Sequence, residues 1–250
     1  MKLLVIDIEN TPHQIYSWKL WGGNFYTAPN MVIAKSRMMC FAAKWAGAPE
    51  SEVVFYSEFH HGTQEMLNQA WNLMNEADGL IHFNGDRFDE PKINRALTVA
   101  GYDPPSPYKH IDVYKTIRAR MDFPYKRLDE VAKELGIEGK KHHSGFDLWV
   151  RCMDKDPDAW AEMREYNIQD IIVTENVFNV VKPWITTLPS VGAELGKDVC
   201  PVCGSDKFLT KEGFSYTKTG ARQRFRCGAD GAWLTSTRRV KATRLIQETR

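Results

Sequence analysis

The chain alternates between short apolar runs and stretches with helical spacing. Leu3 to Ile6 is apolar and leads into Asp7-Ile8-Glu9-Asn10, so residues 2–8 read as a buried strand. Thr11 to Asn30 is aromatic and Gly-containing without a clean period, and reads as a long loop. Met31–Trp45 is β-rich or mixed, and Val53–Tyr56 is a short strand; both extend a sheet begun by the first run. Met66, Leu67, Ala70, Trp71, Leu73 and Met74 place a helix over Thr63–Glu76. Gly79–Phe83 reads as a second buried strand, ending at Asn84-Gly85. Glu90–Ala100 is a helix with Pro91 in its first turn and Gly101 past its end. A strand over His110–Tyr114 and a helix over Leu128–Leu135 closed by Gly136 follow. The longest helix starts with Asp156 as N-cap and Pro157 at the first helical position, and runs to about Val181 before Pro183. Strands interleaved with helices predict an α/β fold. No internal repeat is visible.

Composition divides this picture in two. The 250 residues are 43% hydrophobic and 26% charged, as in ordinary globular proteins. No apolar run is long enough for a membrane span, and no leader pattern opens the chain, so a cytoplasmic protein without a membrane partner is expected. The net charge of +1 hides an asymmetry: residues 197–250 carry 12 Lys/Arg against 5 Asp/Glu, leaving about −6 for the rest. A basic end on an acidic body points to a polyanion partner. Of the five cysteines, Cys40 and Cys152 read as reduced thiols, whereas Cys200, Cys203 and Cys227 cluster. That pattern fits a metal in a reducing compartment. The expected domains are 1–183, a linker at 184–197, and a module at 198–250.

Candidate chemistry begins at the first strand. Asp7 and Glu9 are two residues apart, so they point to the same face. Two carboxylates side by side repel unless a cation lies between them, and oxygen-rich sites suit Mg²⁺ or Mn²⁺. Asp89 heads a helix after a strand end and an Asn-Gly turn, where the helix dipole and capping alone favour an acid. Asp170 precedes the apolar Ile171-Ile172-Val173, where an unpaired Asp is costly. Tyr166 lies one helical turn earlier on the same face.

The ordered set Asp-x-Glu, Asn-x3-Phe-Asp and Tyr-x3-Asp resembles the DEDD superfamily of 3′–5′ exonucleases, with its ribonuclease-H-like fold. The Tyr places the resemblance in the DEDDy, or tyrosine, subclass. It is nearest to the stand-alone polymerase-B-type exonucleases, including those of tailed phages, and covers about residues 1–182. It implies a mixed sheet flanked by helices. It also implies a site in which Asp7, Glu9, Asp89 and Asp170 hold two Mg²⁺ or Mn²⁺ ions and Tyr166 positions the attacking water. Asn84 and Phe88 would line the terminal nucleotides. Two hard cations activate water, stabilise phosphoryl charge and help the 3′ oxygen leave. Motif one departs from the family in having Asn10 where Thr often follows the Glu. The expected activity is release of nucleoside 5′-monophosphates from single-stranded or frayed DNA, alone or with a polymerase or other replication protein in trans. If the chain is phage-encoded, its compartment is the host cytoplasm. RNA trimming and a non-catalytic adaptor role are the alternatives. The basic loop Gly139–Gly145, with Lys140, Lys141, His142 and His143, is either a solvated loop or a substrate contact.

Residues 198–250 have their own pattern. Cys200-x2-Cys203-Gly204 reads as a zinc knuckle, and Cys227-x2-Asp230-Gly231 repeats its spacing with Asp in the fourth place. The module resembles a zinc ribbon holding one structural Zn²⁺, closed by Asp230 or water, unless the metal has been lost. Arg222, Arg224 and Arg226 belong to a basic set interleaved with Phe208, Phe214, Tyr216, Phe225 and Trp233, aromatics that are otherwise the module's own small core. Bases with aromatics suit a single strand, through phosphate neutralisation and base stacking.

Overall fold

A computed structural model gives the fold for residues 1–18, 27–139, 143–192, 198–217 and 219–242. The central strand is β1 (Leu3–Asn10), flanked by β4 (Met38–Trp45) and β6 (Gly79–His82). With β5 (Val54–Ser57) outside β4 and β7 (Lys109–Asp112) outside β6, the order is β5-β4-β1-β6-β7. β5, β4 and β1 run antiparallel, whereas β1, β6 and β7 run parallel. Strands covered on both faces must be apolar nearly throughout, and Leu4, Val5 and Ile6 are all buried. This is the mixed sheet expected from the sequence.

Among the described residues the α-helices are α1 (Thr63–Glu76), α2 (Asp89–Val99), α3 (Val113–Arg120), α4 (Leu128–Glu134), α5 (Phe146–Met153) and α6 (Pro157–Val181). Leu4, Ile6 and Ile8 share one core with Phe41, Met66, Leu67, Met74 and Ile93, so one sheet face is covered by α1 and α2. Period two then sends Val5, Asp7 and Glu9 to the opposite face. There Lys44, opposite Val5 in register, forms a buried ion pair with Glu175 of α6, Nζ to Oε2 2.5 Å. β1 and β6 pair only through Leu3–Val5. The end of β1 carrying Asp7 and Glu9 therefore extends past the carboxyl ends of the parallel strands, where open α/β sheets place their ligands.

Several local readings change. The strand expected over His110–Tyr114 stops at Asp112, because the Asp112 side chain accepts the Lys115 N–H at 3.3 Å and caps a helix from Val113. Both α3 and α5 are eight-residue helices absent from the sequence reading, too short for a periodic pattern to stand out. Within the stretch read as a long loop, β2 (Gln14–Ile15) pairs with β3 (Val32–Ala34). Trp21, Phe25 and Tyr26 of that stretch lie outside the described residues.

Packing divides the chain into two compact units, Lys2–Asn179 and Val180–Arg250, with Met1 grouped with the second. The second unit contains a three-stranded antiparallel sheet, ordered β10 (Trp233–Ala242), β9 (Gly220–Cys227), β8 (Leu209–Thr217).

Candidate active site

Asp7, Glu9 and Asp170 each place a carboxylate oxygen within 4.8 Å of the other two. β1 supplies the first two on one face, and α6 brings the third, which is buried. Tyr166, one turn before Asp170, is hydrogen-bonded to it. Burial raises the Tyr166 phenol well above its ordinary range, and Asp170, Glu9 and Asp7 push it further, so the hydroxyl keeps its proton.

Asp89 is set apart from this trio. It is buried, and burial raises its carboxyl to about 6 in spite of the neighbouring His82 and a hydrogen bond from the Ile8 peptide. That bond uses the part of β1 beyond its pairing with β6. Lys92, one turn along α2, lies near both Asp89 and Glu9, which raise its pKa against the larger lowering effect of burial. Its ammonium stands over the ring of Phe88, itself exposed at the start of α2.

Three residues of this site carried no role in the sequence reading: Lys92, Asn167 and Trp149. The fully buried Asn167 donates from Nδ2 to Asp7 Oδ2 at 2.7 Å. Trp149 of α5 donates its indole N–H to Glu9 Oε2 at 3.2 Å. Only Asn167 had a local signal, its place between Tyr166 and Asp170 on the helix. His143 packs edge-on against both Tyr166 and Trp149, with ring centroids 4.8 and 5.2 Å away. It is part of the aromatic wall of the site, while Lys140, Lys141 and His142 lie outside the described residues. Asn84 takes a left-handed turn conformation and donates its backbone N–H to Asp112. Opposite Glu9 in register, the buried Cys40 thiol is raised well above its ordinary range by burial and by Glu9, which makes it unreactive.

Behind Asp89 lies a second polar cluster, His82, Asp86, Glu90 and His110. His82 Nδ1 accepts the Gly85 N–H at 3.0 Å, which leaves the ring proton on Nε2, 3.0 Å from Asp86. A Cβ at Gly85 would overlap the His82 ring at 2.4 Å, so this approach requires glycine. Lys115 pairs with the other Asp86 oxygen, and His110 meets Glu90 at 2.7 Å. These contacts link the end of β6 to the start of α2.

In the second unit, Cys200, Cys203, Cys227 and Asp230 also converge within 4.8 Å. The two knuckles are built alike. Gly204 and Gly231 both have positive φ, and each donates its N–H at 2.8 Å to the carbonyl of the first Cys of its knuckle. Asp230 thus stands where the first knuckle has Cys203. Ala232 N–H and the thiols hold its carboxyl below the usual value although partial burial opposes this. Burial pushes the Cys200 thiol up to about 12. Arg222, Arg224 and Arg226 alternate along β9 onto one face. Arg224 and Arg226 lie over the Trp233 ring at 5.3 and 5.8 Å, and Arg239 is opposite Arg222. Among the described residues no helix is long and apolar enough to cross a membrane.

Residues 35–182, more than half of the chain, match the RNase_H_2 family, described as RNase_H superfamily. The chain belongs to the RNase H superfamily. The match starts after β1, so Asp7 and Glu9 of this RNase H-superfamily protein are placed at the site by geometry alone. Its fold is similar to the family B DNA polymerase from the hyperthermophilic archaeon Pyrobaculum calidifontis, with a TM-score of 0.54 and 14% identity. The match covers 87% of this chain and 31% of the polymerase chain, so the chain spans less than a third of that protein's length. No curated protein matches the chain. Superfamily membership and the acidic cluster together support a nuclease acting on nucleic acid.

Proposed function

We propose that the protein is a metal-dependent 3′–5′ exonuclease of the DEDDy type, acting on single-stranded or frayed 3′ ends of DNA. The observation that carries this reading is the convergence of Asp7, Glu9 and Asp170 under the protonated hydroxyl of Tyr166. Three carboxylates that close repel one another strongly, and their all-oxygen donor set fits Mg²⁺ or Mn²⁺. Asp7, Glu9 and Asp170 would hold one cation, and the buried Asp89 would contribute to a second. Bound there, divalent cations polarise the phosphoryl group and make water a better nucleophile. Tyr166 donates or accepts one hydrogen bond and orients that water, but with its proton held it is not a general base. Lys92 meets the phosphate charge beside Asp89, and exposed Phe88 offers a face to an unstacked terminal base.

The second unit is proposed as the strand-holding part. Its three thiols and one carboxylate fit a structural Zn²⁺, and the doubled knuckle favours four ligands with Asp230 as the fourth. The β9 face, with Arg222, Arg224, Arg226 and Trp233, suits the phosphates and bases of a single strand.

The test uses single strands of DNA and RNA labelled at either end, with Mn²⁺, Mg²⁺ or EDTA. Metal-dependent mononucleotide release from the 3′ end of DNA, lost in Asp7→Ala and Asp170→Ala, is the expected result. Equal or faster trimming of RNA would replace the substrate. Internal cuts, or cleavage persisting in both variants, would refute the proposal.

A further inference from the structure

The two β1 carboxylates are each gripped by a neutral donor from a different helix. Asn167 Nδ2 of α6 holds Asp7 Oδ2 at 2.7 Å, and Trp149 Nε1 of α5 holds Glu9 Oε2 at 3.2 Å. Resting on the cation site proposed above, we infer that Trp149 and Asn167 are positioning residues that set the metal affinity of Asp7 and Glu9. A cation must fix the side-chain torsions of each carboxylate that it binds. A hydrogen bond to one oxygen fixes those torsions beforehand. The choice of donor matters. A Lys or Arg here would fix the carboxylate equally well but would neutralise the charge that draws the cation. Amide and indole N–H groups orient without neutralising.

A second observation separates Asn167 from an ordinary core amide. It is fully buried, yet its Oδ1 has no hydrogen-bond partner within the protein. Burying an amide with half its capacity unused destabilises the fold, and an apolar residue would serve packing better. The side chain is there for its donor. Trp149 is held in turn: its ring packs edge-on against His143 and Tyr166, with centroids 5.2 and 6.1 Å away. The indole is thereby aimed at Glu9 by the same aromatic group that surrounds Tyr166.

Outer-sphere partners of this kind typically carry 10–100-fold in metal affinity or activity. Trp149→Phe keeps an aromatic ring but removes the pyrrole half of the indole with its N–H, and Asn167→Leu keeps the branched shape at somewhat greater bulk and deletes the donor. Each is expected to weaken Mn²⁺ binding about 10-fold, read from free Mn²⁺ by electron paramagnetic resonance on the full chain. The Mn²⁺ needed for half-maximal cleavage rises by the same factor, while the rate at saturating Mn²⁺ stays within about threefold of wild type. A packing role predicts otherwise: both variants would then lose melting temperature without any shift in the Mn²⁺ needed for binding or cleavage. Wild-type Mn²⁺ affinity in Trp149→Phe and Asn167→Leu overturns the inference alone. Failure of the unsubstituted protein to bind Mn²⁺ overturns the cation-site reading and this inference with it.

Discussion

A carboxyl group as buried as Asp89, raised to about 6 by that burial, resists its own ionisation. Its folded pKa lies above the unfolded value of about 3.9, so the folded state binds the proton more tightly. The stability this confers is present below about pH 4 and is lost as pH rises through 6; in full it amounts to about 3 kcal/mol. In EDTA, the protein is therefore expected to melt several degrees lower at pH 8 than at pH 5 on account of this group. Asp89→Asn should flatten that slope and raise the melting temperature at pH 8, while abolishing or greatly reducing cleavage. Adding Mn²⁺ should return most of the lost stability to the unsubstituted protein and stabilise Asp89→Asn by less. Parallel pH profiles for the two proteins in EDTA would show that Asp89 is not the strained group. At this scale the sequence was legible where a residue's chemistry needs only its own element. Asp7 and Glu9 share a face by period two, and Tyr166 and Asp170 by one helical turn. Trp149 and Lys92 were not legible, because each owes its role to a carboxylate from elsewhere: Glu9 lies 140 positions from Trp149, and no local pattern marks such a pairing.

Between elements, the joint of β4 to α6 depends on charge. Lys44 is 3% exposed and Glu175 7%, and they meet at 2.5 Å. Lys44 Nζ also donates to the Ala48 carbonyl at 2.5 Å, and Glu175 Oε1 accepts the Gly47 N–H at 2.6 Å. Breaking a buried pair leaves an uncompensated charge and costs about 3–5 kcal/mol, whereas replacing both partners with apolar residues is often neutral. Glu175→Leu alone should lower the denaturation midpoint sharply; with Lys44→Met most of the loss should return. Since α6 also carries Asn167 and Asp170, the single variant should lose cleavage at temperatures where its fold is marginal and keep it when cooled. Equal destabilisation in the single and double variants would assign the effect to packing instead. The long helices and central strands could be read from the chain because their patterns run over many residues, as in α1 and α6. The eight-residue α3 and α5 could not: α3 is set by the Asp112 cap, and α5 lies between Gly145 and Asp154 with too few turns to show a period.

Across the whole molecule, charge is divided between an acidic catalytic unit and a basic second unit, and the division has a measurable consequence. Each phosphate contact made by an arginine releases condensed counterions, and for single strands the slope of log affinity against log salt changes by about 0.7 per contact. Arg222, Arg224 and Arg226 lie on one face of β9, and the guanidinium groups of Arg224 and Arg226 lie over the Trp233 ring. Replacing all three with Gln keeps the strand and removes the charge. If each meets a phosphate, the salt slope for single-stranded DNA should fall by about 2, and binding at low salt should weaken by one to two orders of magnitude. Trp233→Leu should instead lower affinity by about 1–3 kcal/mol and leave the slope unchanged, because stacking moves no counterions. Cleavage of dinucleotides should be the same in all these proteins. A salt slope unchanged in the triple variant would mean that the strand is held elsewhere, and the basic face would then need another partner.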